Sequence, residues 1–172
     1  MASNPYLTNS PFLKRTHFLF HSIPSFGNAS QPAGQQYASR NEVFDGDGKT
    51  CEMELAGAYA PETGVRSLVR RCEMGEGYIT VTDSVKLNTE GEMCFNYTLY
   101  NEPKLVAEGK VDIGGAILEY DPEGMTATVE KIENKFLPYE DLNFEAKWGV
   151  PCLWRLVLKT AAAEKALTVK IS

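Results

Sequence analysis

Histidine is nearly missing from this chain: His17 and His21 are the two present in 172 residues. A zinc site draws three or four ligands from the protein, so two imidazoles do not make one unaided. The four cysteines, Cys51, Cys72, Cys94 and Cys152, are far apart and form no CxxC pair, which removes the usual zinc framework. A domain of this length does not need disulfides. The thiols read as four reduced, mostly buried side chains, with one disulfide between neighbouring strands as the alternative. No apolar run approaches the roughly 18 residues of a membrane span, and the segment MASNPYLTNSPFLKR lacks the apolar stretch of a signal peptide. No complete GxSxG, Walker A, dinucleotide or HExxH motif occurs. Positive charge is also scarce, 17 Lys and Arg against 23 Asp and Glu for a net charge of −6. That balance argues against general nucleic-acid or anionic-membrane binding. It leaves room for an acidic sugar held by a local cluster of Arg and Lys.

What the chain has in quantity is strand signal. Phe12 to Phe20 (FLKRTHFLF), Gln35 to Phe44, Thr50 to Tyr59 and Val65 to Met74 read as strands. Tyr78 to Leu87 alternates Ile79 and Val81 against Thr80 and Thr82, the period of a half-buried strand. It pairs with its predecessor across Gly75-Glu76-Gly77 as a hairpin. Met93 to Tyr100, Lys104 to Val111, Ala116 to Tyr120, Met125 to Ile132, Leu153 to Lys159 and Leu167 to Ile171 continue the series. Asp45-Gly46-Asp47-Gly48, Asn101-Glu102-Pro103, Gly114-Gly115 and Asp121-Pro122-Glu123-Gly124 mark turns. Helix-forming composition is confined to Thr160 to Lys165, too short to stand alone as a helix, and Glu133 to Asn143 reads as irregular. About eleven or twelve strands with frequent turn signals predict an all-β fold, an antiparallel β-sandwich. One domain is expected over residues 1–172.

Between the first two strands runs a long polar loop, His21 to Ala38 (HSIPSFGNASQPAGQQYA). Loops of this length inside a compact β domain are more often functional or disordered than structural. His21 is the best single candidate for a reacting group, since an imidazole ordinarily titrates near pH ~6.5. It is expected at a strand end, with Pro24 stiffening the backbone after it. Its plainer role is a histidine that hydrogen-bonds the loop. His17 would share a strand face with His21, but a metal pair would need Asp45, Asp47 or a cysteine to complete it, and no metal or other cofactor is expected. Asp45 and Asp47 are explained by a tight turn, because the full carboxylate set of a calcium loop is missing. Arg66, Arg70 and Arg71 form a basic run in an acidic chain. Arg70 and Arg71 lie on opposite strand faces, and either is suited to a carboxylate or sulfate; the alternative is one inward arginine paired to an acid. Trp154 reads as core, whereas Trp148, before Gly149 and Pro151, is a candidate to stack on a sugar ring.

In chain order, His21-Ser22-Ile23-Pro24, Gly27, Gln31, Gly34, Tyr37-Ala38, Ala58-Tyr59, Gly64-Val65, Arg70 or Arg71, Asp83, Tyr120-Asp121-Pro122, Trp148-Gly149 and Leu153-Trp154-Arg155 form a series over nearly the whole chain. The series resembles the C-terminal β-sandwich domain of heparinase II/III-like polysaccharide lyases. The resemblance implies an α/α toroid N-terminal to the sandwich, an active cleft between the two, and β-elimination on uronic-acid polymers. It implies a proton-transfer or charge-stabilising role for His21, and substrate contacts from Gln31, Tyr37, Arg70, Arg71 and Trp148. The toroid would supply a Tyr and an Asn or His, so this chain alone is expected to be inactive. Some relatives hold zinc with two His and an Asp, but no His follows His21 here. The resemblance further implies an acidic polysaccharide as ligand and export to the periplasm or beyond. A face shaped to meet a toroid also opens a route to a homo-oligomer. A non-catalytic carbohydrate-binding or interaction module is the alternative function.

Overall fold

A computed structural model describes residues 21–27, 31–32, 34–133, 144–145 and 149–172. Ten strands lie within them: β1 (Pro24–Phe26), β2 (Arg40–Phe44), β3 (Thr50–Glu54), β4 (Val65–Gly75), β5 (Tyr78–Leu99), β6 (Lys104–Ala107), β7 (Lys110–Asp112), β8 (Ile117–Tyr120), β9 (Thr126–Glu133) and β10 (Cys152–Ile171). All pairings are antiparallel, in the order β2-β3-β4-β5-β10-β8-β7-β6, with β1 added to β5 and β9 to β10. The fold is the expected all-β sandwich.

Two long strands make the sandwich. β5 and β10, of 22 and 20 residues, pair along nearly their whole length. Their register slips between Ala162 and Glu164, opposite the stretch between Gly91 and Lys86. Such a bulge bends the strands. The residues before the bend on β5 and after it on β10 belong to the layer with β2–β4 and β6–β8; the others join β1 and β9. Met93, Phe95, Leu156 and Leu158 from the second layer meet Leu68, Val85, Leu167 and Val169 from the first in one buried cluster. The alternation of β5 thus serves both layers with one continuous inner face.

Several boundaries differ from the sequence reading. Tyr78–Leu87 and Met93–Tyr100 are one strand, because the chain bends between layers instead of turning back. Thr160–Lys165 is strand rather than incipient helix; pairing to β5 overrides alanine's local preference, and Ala162 packs against the core. Lys104–Val111 is a hairpin, β6 and β7, instead of one strand. The reach from Thr50 towards Tyr59 stops at Glu54 and becomes a 3₁₀ turn, Ala56–Ala58. β2 is shorter than expected, starting at Arg40, and all five of its residues are exposed. The polar loop also contains a strand, β1. The expected strand over residues 12–20 and the irregular stretch from Glu133 to Asn143 fall, beyond Glu133 itself, outside the described residues; the pair Phe144–Glu145 that follows is helical.

Candidate functional site

His21 stands just before β1 and is exposed, while the backbone after it is anchored at each residue. The Ile23 N–H donates to the His21 carbonyl at 3.0 Å, closing a three-residue turn. The Ser22 carbonyl accepts from Arg70 Nη1 at 2.7 Å, and Ser22 Oγ accepts from the Thr98 N–H at 3.0 Å. The Ile23 carbonyl accepts from Asn96 Nδ2 at 2.8 Å, and the same amide reaches Ser25 Oγ at 3.1 Å. The Pro24 carbonyl accepts from the Tyr59 hydroxyl at 2.7 Å. β1 itself lies in register on β5, Pro24 against Phe95 and Phe26 against Met93. Gly27, at φ 55°, takes the chain out of β1 through the left-handed region that favours glycine.

Behind this clamp lies a buried ion pair. Arg70 and Asp83 are register partners on the inner face of β4 and β5. Arg70 Nε and Nη2 donate to Asp83 Oδ1 and Oδ2 at 2.7 and 2.8 Å, a two-pronged contact. The side chains are 15% and 1% exposed. Burial works against the guanidinium's charge, but the Asp83 hydrogen bonds and charge outweigh it and raise the Arg70 pKa. Tyr59 and Tyr97 face the pair, and burial, more than any charge, raises both their hydroxyl pKa values. The Tyr97 hydroxyl and Thr98 Oγ are buried and find no hydrogen-bond partner among the described residues. Phe26 meets the Tyr59 ring edge-on at 5.3 Å between centroids, which fixes the ring whose hydroxyl holds Pro24.

The structure places Arg70 on the carbonyl of Ser22, the residue after His21, and the Gln31 side chain on the Tyr59 hydroxyl. Tyr37 is half-buried at the end of a turn in which its N–H donates to the Gly34 carbonyl at 3.1 Å. The following residue, Ala38, lays its carbonyl on Gly57, where an added Cβ would sit 2.9 Å away. Arg70 is the inward arginine paired to an acid, with its fork committed to Asp83 and Ser22. Arg71 is not part of this cluster: it points to the other face, bonded to Glu73 at 2.9 Å and 3.6 Å from Glu52. His17 and Trp148 lie outside the described residues. Among the described residues, no three His, Cys, Asp or Glu side chains stand close enough to hold a metal ion. Asn96 and Tyr97 escaped the sequence reading. Their visible signal was a run of polar groups, Asn96-Tyr97-Thr98, inside the apolar-flanked stretch Met93 to Leu99.

A cleft of about 720 Å³ opens at the other end of β1, between Phe26, the 3₁₀ turn Pro61–Thr63 and the bend of β5. Glu62, Glu90 and Glu92 line it, with no Lys or Arg among the lining residues, and His21 does not reach it. A polyanion would meet repulsion there.

No protein-family model matches the chain, and no curated protein does. Solved structures do. A mutant of the heparan sulfate lyase HepC from Pedobacter heparinus aligns over 99% of this chain at 10% identity with a TM-score of 0.65. A heparinase III with methylated lysines aligns over 99% at 13% identity and 0.63, and a further heparinase III over 90% at 13% and 0.60. The chain spans 26%, 25% and 23% of those three proteins. At such identities the likeness is one of fold.

Proposed function

We propose that this chain is the β-sandwich portion of a polysaccharide lyase that cleaves uronic-acid polymers by β-elimination, with His21 on the wall of the cleft. The observation that carries this reading is the clamp. Four consecutive residues, Ser22 to Ser25, are fixed by Arg70, Thr98, Asn96 and Tyr59, while the imidazole preceding them is left exposed. Rigid support behind an exposed titratable group is how a reacting side chain is held ready. The fold shared with heparan sulfate lyases, and the small fraction of their length it covers, support a larger partner domain.

β-Elimination needs a base for the proton α to the uronate carboxylate, an acid for the departing oxygen, and a group that offsets charge growing on the carboxylate. An exposed imidazole serves either proton transfer or charge stabilisation. Arg70 serves the site through Ser22 rather than by direct contact with substrate. The other groups would come from a toroid, so the isolated chain should release no unsaturated uronate from heparan sulfate, alginate or related polymers, as followed by ultraviolet absorbance. In the intact lyase, His21→Ala should lower turnover by roughly 10²–10⁴-fold, the usual contribution of a positioned acid or base. Turnover by the isolated chain would overturn the division of labour. Sugar affinity that survives His21→Ala and falls on Trp148→Ala would instead identify a non-catalytic carbohydrate-binding module.

A further inference from the structure

Cys51 and Cys72 face each other directly across β3 and β4. Both are free and half-buried, so a small reagent reaches them. The ladder around them is fixed by the bonds from the Met74 N–H to the Lys49 carbonyl and from the Leu55 N–H to the Leu68 carbonyl, at 2.8 and 2.7 Å. Pairs alternate along an antiparallel ladder, so Cys51–Cys72, two steps from the first of these, is also of the hydrogen-bonded kind. Such pairs have Cα atoms about 5.5 Å apart, inside the roughly 4.4–6.8 Å that a disulfide spans. Opposed Cβ atoms of a hydrogen-bonded pair, near the wide end of about 4.5–5.5 Å, must close by about 1–2 Å to reach the usual disulfide separation.

The surroundings permit that closure. β2 and β3 form the edge of the sheet, with β2 fully exposed and β3 half-buried throughout. Burial raises the Cys72 pKa most; the Arg70 charge opposes that and the neighbouring Cys51 adds to it. Cys94 lies opposite Ser25 and Lys159, and Cys152 opposite Glu133, so neither faces a cysteine across its ladder.

We infer that Cys51 and Cys72 form a reversible cross-strand disulfide by exchange with a low-molecular-weight disulfide, making the β3–β4 edge a site of redox modification. One protein thiolate attacks a sulfur of the small disulfide, forming a mixed disulfide and expelling one thiolate. The second protein thiolate attacks the mixed disulfide and expels the other. Two protein thiols are oxidised, one small disulfide is reduced to two thiols, and the two protons pass to the departing thiolates. Because the Cβ atoms must be drawn together, the bond is expected to reopen readily in reduced thiol.

The test is to equilibrate the folded chain in glutathione buffers from fully reduced to fully oxidised, alkylate the free thiols, and digest with trypsin without reductant. Oxidation should remove two of the four thiols and two hydrogens of mass. Peptide Thr50–Arg66 should appear joined to Cys72–Lys86, each of which carries one cysteine. The joined pair should vanish when excess reduced glutathione is restored, and Cys51→Ser should leave Cys72 carrying a single glutathione. Alkylation of both thiols at every poise would overturn the inference. So would links that join Cys94 or Cys152 instead.

Discussion

Asp83 is buried on the inner face of β5 and its charge is answered by Arg70 through two hydrogen bonds. Removing one partner of a buried pair leaves an uncompensated charge, at a cost of about 3–5 kcal/mol. Asp83→Ala should therefore lower the urea midpoint by that amount of stability and also free the loop that Arg70 holds. Arg70→Lys keeps the charge but loses the fork that reaches Asp83 and Ser22 together, so it should expose the backbone amides of Ser22, Ile23 and Ser25 to faster hydrogen exchange. The two buried tyrosines give a pH signature. Their folded pKa values are raised above tyrosine's ordinary 10.0, so folding favours the neutral hydroxyls. That contribution is complete below pH about 10 and is lost as the pH rises beyond it. In an alkaline titration Tyr59 and Tyr97 should ionise together with the loss of structure; ionisation of both before unfolding would contradict the clamp.

At the scale of elements, the strands were legible where alternation was regular, as in Tyr78 to Leu87. They were misread where one strand serves two layers. β5 and β10 pass through a bend: residues 88–90 fall in the register slip and look locally like a break, and Thr160–Lys165 looks like a helix although pairing to β5 holds it as strand. No local pattern encodes that pairing. The candidate site was legible in part for the same reason. His21, Gln31 and Arg70 carry distinctive chemistry, whereas Asn96 and Tyr59 act through backbone carbonyls brought near by the fold. The layers also differ in what they tolerate. Leu156 is fully buried in the central strand β10, so Leu156→Ala should cost about 2–5 kcal/mol. Phe44, 67% exposed on the edge strand β2, should change stability by less than about 0.5 kcal/mol on conversion to Ser. Urea denaturation of the two variants checks the contrast.

For the whole molecule, charge and shape point the same way. The open cleft at the far end of β1 is lined by Glu62, Glu90 and Glu92 and repels a polyanion, while His21, before β1, is exposed and outside it. A surface of this kind completes a cleft when a second body faces it, which fits a chain that spans about a quarter of the lyases whose fold it shares. The central claim is that this surface meets an acidic polysaccharide at His21. With two histidines in the chain, imidazole resonances are readily assigned, so titration of the isolated chain with heparan sulfate oligosaccharides, followed by NMR of the histidine rings, tests it directly. The His21 signals should move progressively with added sugar, with the Ser22, Ile23 and Ser25 amides following. Sugar-dependent shifts that leave His21 and its clamp unmoved would contradict the account.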